Sequence, residues 1–110
     1  MVKKKVRTII EFFADRLLEQ KLNISKIILF GSHAAGTADM ESDIDIVIVS
    51  EDFKKKNIFK RVDLIKNAKI QTIKNFLVPL DVVVMTPEEY ENRTSIIAEY
   101  AHSGEVLFAA

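Results

Sequence analysis

Hydrophobic positions follow a helical spacing in two parts of the chain, and end signals predict a third helix. Residues 2–21 carry apolar side chains three and four positions apart, which is typical of an amphipathic helix. Residues 58–76 repeat this spacing, and Pro79 predicts where that second helix stops. A third helix is predicted over residues 87–101, because it starts with a proline and Thr86 is well suited as its N-cap.

Short apolar runs, rich in β-branched residues, separate these helices and predict buried strands. They cover residues 27–30, 44–49 and 80–85. A last run at residues 106–108 either adds a terminal strand or packs against the core. The order α-β-loop-β-α-β-α indicates an α/β or α+β fold in which helices flank a small sheet.

Composition agrees with one globular domain spanning residues 1–110. Hydrophobic residues make up 48% and charged residues 29% of the chain, which is the balance of an ordinary soluble protein. The 16 basic and 16 acidic residues cancel, so a general nucleic-acid partner is not expected, since such binding needs a net basic surface. The absence of cysteine excludes disulfides and thiolate metal sites.

The sequence also predicts a cytoplasmic protein without a membrane partner. It contains no apolar run near the roughly 20 residues that a membrane-spanning helix needs. Glu11 and Asp15 interrupt the first apolar stretch too early for a secretion signal.

Two aspartates interrupt the apolar pattern where the second strand begins. Asp43 and Asp45 flank Ile44, and side chains two apart on a strand point to the same face. Two adjacent acids in an apolar strand repel one another unless a cation offsets their charge. Mg²⁺ prefers such oxygen ligands, so the pair predicts a magnesium site.

Asp81 places a third acid at the mouth of the strand at 80–85. Taken alone, such a residue is usually an exposed edge or turn residue. If this strand pairs beside the second, Asp81 completes a triad with Asp43 and Asp45. Three such acids can hold two metal ions about 3.5–4 Å apart for phosphoryl or nucleotidyl transfer.

Gly31 and Ser32 follow the first strand directly. Glycine allows the backbone to approach a ligand closely, and Ser32 can donate from both its hydroxyl and its N–H. A short helix starting at Ser32 and ending at Gly36 in a left-handed conformation would offer free N–H groups to phosphates. The alternative is a plain turn between two strands.

Together these pieces form a specific motif. Gly31-Ser32, ten residues and then Asp43-Ile44-Asp45 resemble the signature of the polymerase-β-like nucleotidyltransferase superfamily. The string FGSHAAGTADMESDIDIVIV is similar to the minimal nucleotidyltransferase domains that serve as antitoxins beside HEPN-domain ribonucleases. The later LDVVVMTPEEY fits the third acidic strand of that family and the helix after it.

The resemblance implies a small mixed sheet, ATP as substrate and two Mg²⁺ ions. It implies that Asp43 and Asp45 hold the metals and the triphosphate, and that Asp81 binds the metal near the acceptor and helps deprotonate its hydroxyl. Gly31, Ser32 and the adjoining His33 would contact the nucleotide. In the antitoxin branch the acceptor is a tyrosine of the HEPN-domain toxin, so the resemblance also implies a hetero-oligomer.

The chain departs from the family pattern in this loop. Where the family commonly has arginines, it has His33 and Ala35, which removes fixed positive charge beside the triphosphate. Lys26, Lys54 or a partner residue could compensate, and His33 is either a phosphate contact or an exposed loop residue. A weakened site leaves a second hypothesis open, an antitoxin that neutralises its partner by binding alone. A small-molecule or RNA acceptor is a third, disfavoured because the chain is short and its net charge is zero.

The remaining candidate residues have simpler interpretations. Tyr90 and Tyr100 are expected in the core or at an interface, and His102 as a capping charge at a helix end. Asp39 and Glu41 are expected on the loop surface.

Overall fold

A computed structural model describes residues 3–38, 42–93 and 95–110, so Asp39, Glu41 and the first two residues lie outside the described residues. The elements in chain order are α1 Lys4–Glu19, β1 Ile24–Phe30, α2 Gly31–Ala35, β2 Ile44–Ser50, a 3₁₀ turn at Glu51–Phe53, α3 Ile58–Phe76, β3 Leu80–Met85, α4 Pro87–Asn92, α5 Ile96–His102 and β4 Glu105–Ala109.

The four strands form one mixed sheet in the order β3-β2-β1-β4. β1 is antiparallel to both β2 and β4, whereas β2 and β3 are parallel and α3 connects them. This confirms the predicted small mixed sheet flanked by helices. It also shows that the apolar run at residues 106–108 belongs to a strand.

Alternation along the strands gives the sheet two apolar faces. Ile44, Ile46 and Ile48 of β2 face the layer formed by α1 and α3. Val47 and Val49 pack on the opposite face under α4 and α5. Burial on both faces explains why the strands carry so few polar residues, and it makes the acids in β2 and β3 conspicuous.

Local signals set most helix ends. Asn57 caps α3 by accepting a hydrogen bond from the Lys60 N–H, and Thr86 and Glu89 form a reciprocal capping box at the start of α4. The predicted helix over residues 58–76 is confirmed, and it ends before Pro79. α3 ends at Phe76 because Leu77 adopts a left-handed conformation and closes the last turn.

The single helix predicted over residues 87–101 is wrong. The backbone turns left-handed at Arg93 with φ 53°, and Ser95 caps a new helix by accepting from the Ala98 N–H. His102 then holds the two helices together. Its ring stacks on Tyr90 with 4.0 Å between centroids, and its Nε2 donates to the Tyr90 carbonyl oxygen at 2.7 Å. His102 therefore connects α4 and α5 as well as ending α5.

No helix within the described ranges is both long enough and apolar enough to cross a membrane.

Candidate active site

The strand directions gather three chain segments at one end of the sheet. β1 ends at Phe30 opposite Asp45, near the start of β2, and β3 starts beside β2 with Leu80 next to Ile44. We call this region the acidic end of the sheet. The third strand pairs beside the second, which is the condition under which Asp81 lies near Asp43 and Asp45.

Asp45 and Asp81 are direct neighbours across the parallel pair. Both belong to the face that also carries Val47 and Val83, because side chains alternate along each strand. Asp43 lies one residue before β2 and is exposed. The structure thus sets two of the three predicted acids side by side, with the third at the entrance to the strand.

The electrostatics of this arrangement are unfavourable for a protein alone. Burial raises the pKa of the Asp45 carboxyl above its ordinary value of 3.8, and repulsion from Asp81 and Asp43 and hydrogen bonding with Asp81 raise it further. The nearby His33 acts in the opposite direction. In the described part of the chain, none of the three acids forms an ion pair with a lysine or arginine.

Gly31 brings the backbone close to the Asp45 carboxyl. Its φ is +74°, and a Cβ added here would lie 2.4 Å from Asp45 Oδ2. Any other residue would therefore meet both backbone strain and a steric collision. α2 begins at Gly31, one residue before the start considered from the sequence, and ends before Gly36, which has the expected left-handed conformation with φ 79°.

His33 connects α2 to the segment that precedes β2. Its half-buried ring donates from Nε2 to the Ser42 carbonyl oxygen at 3.1 Å. His33 and Ser42 also line a cleft of about 300 Å³ together with Lys3 and Lys5. The ring is thus an anchored group beside the acids.

Lys26 and Lys54, the candidate replacements for loop arginines, lie at the other end of the sheet. Lys26 pairs with Val49 near the end of β2, and Lys54 follows the 3₁₀ turn after that strand. Lys54 forms ion pairs with Glu51 and Glu88. Neither lysine is placed to replace the loop arginines, because the loop lies at the acidic end.

The donors at the acidic end fit a hard divalent cation in part. Two touching carboxyl groups on one face supply the oxygen ligands that Mg²⁺ prefers, and a cation would relieve the repulsion that raises the pKa of Asp45. Across residues 3–38, 42–93 and 95–110, no group of three or more histidine, cysteine or acidic side chains is arranged to hold an ion. Asp45 and Asp81 therefore form the core of the candidate metal site, and Asp43 is the nearby third acid.

Comparison with known families agrees with this geometry. A sequence model of the nucleotidyltransferase domain matches residues 6–102, which include all three acids, Gly31 and Ser32. The chain belongs to the nucleotidyltransferase-domain family. Comparison with curated proteins gives no match.

Solved structures share the fold of this nucleotidyltransferase domain. A toxin–antitoxin crystal structure with AMP-PNP is 20% identical, with a TM-score of 0.62 over 89% of this chain and 72% of that one. A protein assigned as a minimal nucleotidyltransferase is 19% identical, with a TM-score of 0.60 over 96% and 94%. A mutant of the toxin–antitoxin MntA-HpeT is 16% identical, with a TM-score of 0.58 over 88% and 70%.

Sequence reasoning missed the aromatic side chains beside this site. Tyr90 is buried in the core as expected, but Tyr100 is 56% exposed and lines a cleft with Phe30 and Gly31. Phe30 was interpreted only as the end of an apolar strand. Nothing local in the sequence brings these two rings together, because β1 and α5 are far apart in the chain.

Proposed function

We propose that this domain is a magnesium-dependent nucleotidyltransferase that transfers AMP from ATP to a tyrosine of a partner toxin, and so acts as its antitoxin. The observation that carries the proposal is the in-register pairing of Asp45 with Asp81, against the close backbone of Gly31. A carboxyl pair that destabilises the protein alone is explained if its partner is a cation bound with the substrate.

The three acids divide the work by position. Asp45 is half-buried and Asp43 precedes it, so these two would hold Mg²⁺ together with the triphosphate. Bound Mg²⁺ would neutralise the charge that develops on the phosphates during transfer. Asp81 is exposed at the start of β3, where an incoming hydroxyl could reach it.

The reaction balances with these groups. The tyrosine oxygen bonds to the α-phosphorus of ATP, the bond from that phosphorus to the β-phosphate bridging oxygen breaks, and pyrophosphate leaves. Asp81 accepts the phenol proton as general base. Gly31 and Ser32 contribute backbone and hydroxyl donors close to the phosphates, and His33 supplies a ring whose interaction already favours the charged form of Asp45.

Two considerations support a protein acceptor. Structures with this fold include toxin–antitoxin complexes, one of them with AMP-PNP. The sequence resembles antitoxins encoded beside HEPN-domain ribonucleases, in which the acceptor is a tyrosine of the toxin. The partner therefore supplies the acceptor surface in this proposal, and the functional unit is a hetero-oligomer.

Intact-mass measurement of the partner tests the proposal directly. The chain is co-expressed with the protein encoded beside its gene, and both masses are recorded. We expect the partner to gain one or more AMP units, and the gain to disappear with the Asp43→Asn/Asp45→Asn double variant. Glu88→Gln is the matched control, because it neutralises an acid at the opposite end of the sheet and should leave the gain unchanged.

The second candidate is an antitoxin that neutralises its partner by binding alone. His33 and Ala35 favour it, because they leave α2 without the arginines that its family commonly carries there. A stable complex without added mass, together with protection that survives the double variant, would establish this alternative and overturn the enzymatic one.

A further inference from the structure

A cleft opens beside the acidic end of the sheet, and of its lining residues the proposed transfer step uses Gly31 alone. It has a volume of about 350 Å³, within the usual size of small-molecule sites. Its walls come from the end of β1, from α2, and from the turn that joins α5 to β4. The lining residues include Phe30, Gly31, Ala34, Ala35, Tyr100 and Gly104.

The lining is apolar and aromatic. Phe30 and Tyr100 present rings, and Ala34 and Ala35 present methyl groups from one side of α2. The other polar side chain, Ser103, has its hydroxyl donated to the Tyr100 carbonyl oxygen at 2.9 Å. No charged side chain of the described residues lines the cleft, so it suits a flat ring system and not a phosphate.

Two glycines line the cleft and lie close to Asp45 and to β1. Gly31 belongs to its lining, and a Cβ there would lie 2.4 Å from Asp45 Oδ2. On the other side, a Cβ at Gly104 would lie 2.4 Å from the Leu29 carbonyl oxygen, so this turn packs directly on β1. Gly31 therefore borders both the cleft and the acidic end.

Phe30 connects the cleft to Asp45. It pairs with Asp45 across β1 and β2, and it packs on the same face of the sheet as Val47 and Val83. A nucleotide whose reacting phosphate lies at Asp45 can thus extend over Gly31 towards Phe30 and Tyr100.

We infer that this cleft binds the nucleobase and ribose of the nucleoside triphosphate, with Tyr100 as the surface on which the base stacks. The inference rests on the proposed function and deepens it, since it assigns residues to the half of the substrate that the acids do not touch. Stacking explains an exposed tyrosine at the mouth of an apolar cleft, because a base has an apolar face that such a ring covers.

Comparing two ligands on the full chain separates the base from the phosphates. Affinities for ATP and for inorganic triphosphate are measured by calorimetry with Mg²⁺ present and no acceptor. We expect Tyr100→Ala to weaken ATP binding about tenfold, the scale of one lost base–aromatic stack, and to leave triphosphate binding unchanged. Tyr100→Phe should retain ATP binding, because it keeps the ring.

Ile96→Ala is the matched control, since Ile96 is 71% exposed on the same helix and does not line the cleft. Melting curves of each variant confirm folding. If Tyr100→Ala weakens both ligands equally, or neither, the base does not stack on Tyr100 and the inference is overturned while nucleotide binding still stands. If the wild-type chain binds neither ligand, the proposed function itself fails at this site.

Discussion

Acidic side chains occur at both ends of the sheet, but they have opposite electrostatic surroundings. At the far end, beyond the carboxyl ends of β2 and β3, Lys54 lies 2.6 Å from Glu51 and 2.7 Å from Glu88, and Arg61 lies 2.7 Å from Glu89. At the acidic end, Asp45 and Asp81 face each other.

The pKa values of Glu89 and Asp45 are shifted in opposite directions. For Glu89, burial alone would raise the pKa, but hydrogen bonds from Arg61 and from the Thr86 backbone outweigh it and lower the pKa below 4.5. For Asp45, burial and the neighbouring acids all raise the pKa. The ionised form of Glu89 is therefore stabilised at the far end, and the ionised form of Asp45 is destabilised at the acidic end. The charges at the far end are balanced by the protein itself, whereas those at the acidic end call for a bound ligand.

The largest expected loss of stability comes from adding a side chain at the acidic end. Gly31→Ala adds a Cβ against Asp45 Oδ2 at a residue with φ +74°, so we expect a loss of about 2–4 kcal/mol of stability from strain plus overpacking. Transfer activity should fall with it. Urea denaturation measures the first quantity and intact mass the second.

Gly36→Ala is the control for backbone strain alone. Its φ is +79°, but an added Cβ meets nothing within 4 Å. We expect a loss of about 1 kcal/mol, typical of placing a side chain in the left-handed region. Equal losses at the two glycines would show that the contact with Asp45 carries no energetic weight.

A second, smaller effect should be a gain in stability and not a loss. Asp81→Asn removes one of the facing charges and keeps a group that can donate to Asp45, so we expect the metal-free protein to gain about 0.5–1 kcal/mol, discounted for the exposure of Asp81. The melting temperature without Mg²⁺ should rise by a few degrees. Added Mg²⁺ should then stabilise the wild type more than the variant, and a variant less stable than the wild type would contradict the comparison.

The smallest effect is expected at the far end of the sheet, where removing an acid should lower the stability. Glu89→Gln weakens the pair with Arg61 but keeps an oxygen for the capping box, so we expect a loss of about 0.5 kcal/mol near neutral pH. Because the pKa of Glu89 is lowered from 4.5 in the folded state, its contribution is present above that value and is lost as the pH falls through the lower one.

Urea midpoints at about pH 7 and about pH 3.5 test this dependence. The wild type should lose more stability on acidification than Glu89→Gln does. Glu91→Gln is the control, because Glu91 is exposed and forms no ion pair among the described residues. A Glu89 variant with the wild-type pH dependence would show that the ion pair contributes nothing.

Local pattern was sufficient for much of the fold. The β-branched run at 80–85 and the apolar spacing over 58–76 match β3 and α3, because period and capping residues agree there. The break at Arg93 was missed, since helix-compatible residues lie on both sides and the decisive contact, His102 on Tyr90, is tertiary. Strand direction is likewise a property of pairing and not of any one segment.

In the candidate site, too, some residues could be predicted from the sequence and others could not. Asp43 and Asp45 were predicted from a spacing of two, and Asp81 from an acid at a strand start. That Tyr100 borders this region, and that Lys26 does not, follows from how β1 pairs with β2 and β4. No sequence window contains that information.

The parallel register of β2 and β3 links the packing of the core to the position of Asp81. Leu80 and Val84 are buried under α1 and α3, whereas Asp81 alternates to the other face. A slip of β3 by one residue would turn the Asp81 carboxyl into that apolar layer, where an unpaired charge is costly to bury. Core packing therefore disfavours the misaligned register, and the register that buries Leu80 and Val84 also sets Asp81 beside Asp45.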